Sequence, residues 1–93
     1  MKNTAILINT SRGGLINEGD LAEALREEEI TCALLDVLVE EPAPLNHPFY
    51  NLYNCKVTPH IAWASVESRT RLMQGVEENI EAFIAGTPKN VIN

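Results

Sequence analysis

Three polar residues, each placed just past an apolar run, could do chemistry together: Arg12, Glu41 and His60. A histidine is the usual donor or acceptor of a proton near neutral pH. A carboxylate beside it fixes its tautomer and favours the imidazolium. An arginine offers a planar fork that grips a carboxylate through two parallel hydrogen bonds, which a lysine cannot reproduce. Each also has a plain structural reading, Arg12 as half of a surface ion pair and His60 as a satisfied loop histidine. Asp36, ending the second apolar run, either accepts a hydrogen bond from a ligand amide or caps a turn. His47 sits among prolines with no comparable placement and reads as a loop residue.

Positioning these side chains requires a particular set of elements. Ala5–Thr10 is apolar without alternation, as in a strand covered on both faces of a parallel sheet. It breaks at Ser11-Arg12-Gly13-Gly14, where paired glycines permit a tight turn. Asn17 then serves as a helix N-cap, with Glu18 and Asp20 in the first turn. Leu21, Ala22, Ala24 and Leu25 form the apolar stripe of a helix that frays in Glu27-Glu28-Glu29. Thr31–Val37 is a second apolar run, so strand, helix and strand make a right-handed βαβ unit. Pro42, Pro44 and Pro48 hold the next stretch as an ordered loop, with one helical turn near Pro48–Leu52. Cys55–Thr58 is a short third strand ended by Pro59.

Ser65 suits the N-cap of a long helix, with Glu67 in its first turn. Val66, Met73, Val76, Ile80, Phe83 and Ile84 fall on one stripe at three- and four-residue spacing. Gly86 fits the C′ position, Pro88 lies just beyond, and 90–93 is a tail. The expectation is an α/β architecture with about three parallel strands. Arg12, Glu41 and His60 then emerge at one sheet edge, where open α/β sheets bind their ligands. Two helices are too few to cover both faces of such a sheet. Apolar surface should be left over, to meet another domain, another subunit or a further segment.

The chain has 93 residues and a net charge of −6, a balance that argues against nucleic acid or an anionic membrane as partner. No stretch reaches transmembrane length. Cys32 and Cys55 lack the spacing of metal ligands, so no metal site is expected. Both read as small buried hydrophobes in a reducing, cytoplasmic setting.

Asn9-Thr10-Ser11-Arg12-Gly13-Gly14-Leu15-Ile16-Asn17-Glu18 resembles the N-x-[SA]-R-G-x-x-[IV]-[DN]-E signature of the D-isomer-specific 2-hydroxyacid dehydrogenases. Asp36–Pro42 is similar to that family's D-V-[FL]-x-x-E-P segment, and Thr58-Pro59-His60-Ile61-Ala62 to its T-P-H-I-[GA]. The three come in the family's order and cover essentially the whole chain. The resemblance implies that Arg12 binds the 2-oxo acid carboxylate and carbonyl. It makes His60 the general acid that protonates the carbonyl oxygen during reduction, and Glu41, rather than Glu40, its partner. It places Thr10, Ser11, Asp36 and Ala62, along with Arg12 and His60, at the nicotinamide end of NAD(H) or NADP(H). His60-Ile61-Ala62-Trp63-Ala64-Ser65 resembles the glycerate dehydrogenase (hydroxypyruvate reductase) branch, pointing to hydroxypyruvate and D-glycerate. Trp63 has a structural alternative, packing between the sheet and a neighbouring domain.

The family's G-x-G-x-x-G phosphate loop has no counterpart in the sequence. Nor is there the acid or arginine that reads the ribose. The expectation is therefore a partial Rossmann-like, doubly wound parallel sheet plus a long C-terminal helix. Residues 1–63 form the second half of a nucleotide-binding domain, and 64–93 a helix and tail returning toward a substrate domain. Such a chain is a segment of a larger oxidoreductase, its Met1 an internal methionine, inactive alone and prone to homo-oligomerise through its leftover apolar surface. The alternative is a stand-alone oligomeric interaction module built on the same scaffold.

Overall fold

A computed structural model describes residues 1–92; Asn93, the last residue of the expected tail, lies outside them. The chain divides into two compact units, Met1–Ala62 and Trp63–Asn93. The first holds strand β1 (Ile6–Asn9), helix α1 (Glu18–Arg26), strand β2 (Cys32–Leu35) and strand β3 (Cys55–Val57). The strands form one parallel sheet in the order β1-β2-β3. Ile6 pairs with Cys32, Asn9 with Leu35, and Leu35 with Val57. All three strand ends that carry the candidate residues thus lie at one edge. The strands are shorter than the apolar runs that encode them, because ladder pairing stops where each chain turns toward the site.

Local chemistry sets the helix ends. The Asn17 side chain accepts hydrogen bonds from the amides of Gly19 (3.0 Å) and Asp20 (3.3 Å), satisfying donors that the first turn of α1 leaves open. The helix stops at Arg26, and Glu28 reverses the chain at φ 55°. Leu21, Ala22 and Leu25 of α1 then pack with Ile30, Ala33, Leu35, Leu38, Phe49 and Cys55. Leu25 and Phe49 are the largest side chains wholly removed from water. Burying each contributes about 1.5–3 kcal/mol. Burial pushes the Cys55 thiol up to about 11, while Cys32 is half-buried; both are free thiols.

The prolines act as the sequence suggests. The Glu41–Pro42 peptide is cis, and Pro48–Asn51 makes a 3-10 turn whose first residue is proline. Within the first unit one face of the sheet packs on α1 and the other carries exposed apolar side chains, the leftover surface expected from too few helices. Ala33 and Leu35 face the core, but Ile6, Ile8 and Leu34 share the opposite face and are exposed.

The second unit is helix α2 (Val66–Ile84) with its tail. The Ser65 hydroxyl accepts from the Ser68 amide at 3.1 Å. At the other end Gly86 adopts φ 73°. The Thr87 amide donates to the Ala82 carbonyl (2.9 Å) and the Gly86 amide to Phe83 (3.1 Å), a Schellman closure that needs glycine at this position. The predicted stripe of Val66, Met73, Val76, Ile80, Phe83 and Ile84 is exposed along its whole length.

Candidate active site

Arg12 is held by the residue that ends β1. Asn9 is buried; its Oδ1 accepts from the Ser11 amide (3.0 Å) and its Nδ2 donates to the Arg12 carbonyl (2.8 Å). The Arg12 backbone is extended and its guanidinium donates to the Ser11 carbonyl at 2.7 Å, in the open. The next residue, Gly13, lies flat against the Leu38–Val39 peptide beyond β2. A Cβ at Gly13 would stand 2.0 Å from the Leu38 carbonyl carbon. Absence of a side chain at Gly13 is what lets the Arg12 turn and the Glu41 loop touch.

Glu41 uses both carboxylate oxygens. Oε1 accepts from the Leu38 amide at 2.9 Å and Oε2 meets His60 Nδ1 at 2.6 Å. These bonds, that from His60 foremost and that from Leu38 next, hold the Glu41 carboxyl below its usual range. A carboxylate only accepts, so Nδ1 of His60 carries the shared proton. Both side chains remain reachable by solvent, at 42% and 38% exposure.

His60 stands on a turn that is under conformational strain, at φ 55°. A non-glycine residue there costs about 1–3 kcal/mol and persists only where its surroundings hold it. Asp36 supplies that hold. It is 4% exposed and accepts from the Thr58 hydroxyl (2.6 Å) and the amides of Ile61 and Ala62 (2.9 Å each). The Thr58 hydroxyl first, then the Ala62 and Ile61 amides, lower the Asp36 carboxyl. Three bonds from one side chain thus bracket His60 on both sides.

The structure therefore brings Arg12, Glu41 and His60 to the rim of one depression of about 460 Å³, with Gly13, Gly14 and Leu38. Thr10, Asp36 and Ala62 line a second, of about 410 Å³, whose other walls include Ile8, Leu34 and Ile61. Ser11 lines neither and instead shapes the Arg12 turn through its amide and carbonyl. Sequence reasoning missed the bonds made by Asn9, Glu18 and His47. Asn9 left a signal, a lone amide closing an apolar strand. Glu18 read as a helix-dipole acid and His47 as an idle loop residue, yet they meet at 3.2 Å with His47 buried.

Residues 1–62 match the family described as D-isomer specific 2-hydroxyacid dehydrogenase, NAD binding domain. The whole chain is 46% identical over 93 residues to a hydroxypyruvate reductase of Blautia hydrogenotrophica, and covers 29% of that protein. It is likewise 46% identical over 94 residues to a glycerate dehydrogenase of Methylorubrum extorquens, covering 99% of the chain and 30% of the relative. Among solved structures, an acyclic imino acid reductase in complex with NADPH and D-Arg superposes with a TM-score of 0.80 at 42% identity, over all of this chain and 29% of that one. The chain thus spans less than a third of the length of the curated relatives it matches.

Proposed function

Because the chain belongs to the D-isomer specific 2-hydroxyacid dehydrogenase family, we propose that it forms the catalytic edge of an NAD(P)-dependent oxidoreductase interconverting a 2-oxo acid and a D-2-hydroxy acid. Hydroxypyruvate and D-glycerate are the proposed pair, supported by relatives named for both. Residues 1–63 are assigned to the second half of the nucleotide-binding domain and 64–93 to the helix returning toward a substrate domain. The observation that carries the reading is the His60–Glu41 contact of 2.6 Å on the same rim as Arg12.

In this reading the Arg12 fork grips the substrate carboxylate and leans on its carbonyl oxygen. Because Glu41 holds Nδ1, Nε2 of His60 is the nitrogen that exchanges a proton with the substrate oxygen. Glu41 stabilises the imidazolium before transfer and keeps the ring turned toward the rim. In the oxidative direction His60 takes the proton back.

The second depression fits the nicotinamide end of a dinucleotide. Its walls are largely apolar, as a flat ring requires, with Thr10 among them. Of the residues assigned to that end, Thr10, Asp36 and Ala62 line the depression, and Ser11, Arg12 and His60 would approach it from the neighbouring turns. A bound nicotinamide supplies or takes up the hydride. The phosphate loop is missing from this sequence, which supports the view that the chain alone does not turn over.

The test is to assay the purified chain, and a chimera in which it replaces the matching 29% of the Blautia hydrogenotrophica enzyme, for NAD(P)H-dependent reduction of hydroxypyruvate. The expected result is no turnover by the chain and turnover by the chimera. Turnover by the chain alone overturns its dependence on a larger enzyme. A folded chimera that binds NADPH but reduces no 2-oxo acid overturns the catalytic assignment. That outcome would favour the second reading, an interaction module, for which the exposed apolar face of Ile6, Ile8 and Leu34 is the supporting observation.

A further inference from the structure

Glu18 and His47 lie six residues past Arg12 and Glu41 respectively, and neither lines the depression of the rim trio. Their contacts nevertheless converge on the peptide that carries it. Glu18 Oε1 accepts from the Val39 amide at 2.8 Å, and Oε2 lies 3.2 Å from His47 Nε2. His47 is 6% exposed, and its Nδ1 accepts from the Phe49 amide at 3.4 Å. An accepting Nδ1 leaves the ring proton on Nε2, so His47 donates to Glu18. Both Glu18 oxygens are thereby engaged by the loop that begins after β2.

The neighbouring amide, that of Leu38, is held by Glu41. Gly13 abuts the Leu38–Val39 peptide. The Leu38–Val39 peptide is therefore fixed at its N–H by a carboxylate from α1 and abutted by the backbone of the Arg12 turn, while the peptide before it is fixed by a carboxylate from its own loop. Displacing it moves Glu41 relative to His60 and Arg12 relative to both. We propose that Glu18, backed by His47, is a positioning residue for the site. It clasps the loop at Val39 so that Glu41 can hold His60 Nδ1. This rests on the assignment of Glu41 and His60 given above.

A first-turn acid also steadies its helix through the dipole, a role that Asp20 shares at an exposed position of the same turn. Asp20→Asn thus removes the helix contribution without touching the clasp. Glu18→Gln keeps the size but sets an amide NH₂ against either the Val39 N–H or the His47 Nε2–H, donor facing donor. Glu18→Asp keeps the charge but shortens the reach by one methylene, and serves if the glutamine variant fails to fold.

The full chain, labelled with ¹⁵N, reads both ends of the clasp by NMR. Exchange of the Val39 amide reports the clasp, and the long-range ¹H–¹⁵N spectrum of the His60 ring reports the hold on Nδ1. In both Glu18 variants, Val39 exchange should quicken by about 10- to 100-fold, the loss of a hydrogen bond to a charged acceptor. The His60 ring nitrogens should shift as well, and Asp20→Asn should do neither. An unmoved His60 ring in both Glu18 variants, or an equal shift in Asp20→Asn, overturns the proposal. A wild-type spectrum with no proton held on His60 Nδ1 overturns the Glu41–His60 assignment itself, a distinct result.

Discussion

Substituting Gly13 by alanine adds a single methyl group at the joint between two loops of the site. That methyl would lie 2.0 Å from the Leu38 carbonyl carbon, 2.2 Å from its oxygen and 2.4 Å from the Val39 nitrogen. All three are backbone atoms, so no side-chain rotation relieves the overlap. Ordinary contact requires the loops to part by about 1 Å or more. The Leu38–Val39 peptide cannot yield alone, because its N–H is held by Glu18 and the Leu38 amide of the peptide before it is held by Glu41. Overpacking of this kind costs about 1–3 kcal/mol, which lowers Tm by roughly 4–8 °C per kcal/mol in a domain of this size. In the chimera, a 1 Å displacement of Arg12 from Glu41 and His60 should reduce turnover about 100-fold. Gly14→Ala is the internal control, since a Cβ at Gly14 meets nothing within 4 Å. It should leave Tm near that of the parent. Thermal denaturation of the chain and steady-state kinetics of the chimera measure both quantities. Equal behaviour of the two alanine variants would refute the claim that the loops touch through Gly13.

Other consequences follow from the same contacts. Asp36→Asn turns one acceptor oxygen into a donor facing Thr58, Ile61 or Ala62; kcat of the chimera should fall more than KM rises, and the Ile61 and Ala62 amides should exchange faster in the chain. The Asp36 and Glu41 carboxyls are lowered in the folded chain, so their contribution is complete above their ordinary values and lost as pH falls through the lowered ones. Tm should therefore fall as pH drops below about 4, and less so in Asp36→Asn, as calorimetry across pH 3–7 would record. The exposed α2 stripe should drive self-association to a dimer or larger species, weakened by Ile80→Lys; sedimentation showing a monomer at high concentration would contradict it.

The elements were legible because short-range chemistry decides them. Asn17, Ser65 and Gly86 cap helices through bonds spanning two to five residues, and each appears where its side chain or its freedom at positive φ is required. Arg12, Glu41 and His60 were legible because parallel strands in sequential order must end at one edge. Less visible were bonds made across the fold. Asp36 satisfies backbone amides 25 and 26 residues away, and any residue type there would offer the same amides. Glu18 reaches Val39 over 21 residues and His47 over 29, through a loop whose path three prolines set jointly. The open sheet face was half legible. Ile6, Ile8 and Leu34 announced a covered surface, but a two-sided apolar strand says nothing about which chain segment covers it.

The role of His60 is tested most directly by the pH dependence of hydroxypyruvate reduction in the chimera and in its His60→Gln variant. A positioned general acid contributes about 10²–10⁴-fold. Wild-type kcat/KM should decline as rising pH strips the proton from the dyad, and His60→Gln should lose that factor together with the alkaline limb. A variant within a few-fold of wild type, or one that keeps the limb unchanged, would remove His60 from proton transfer and with it the reason for Glu41 to stand 2.6 Å away.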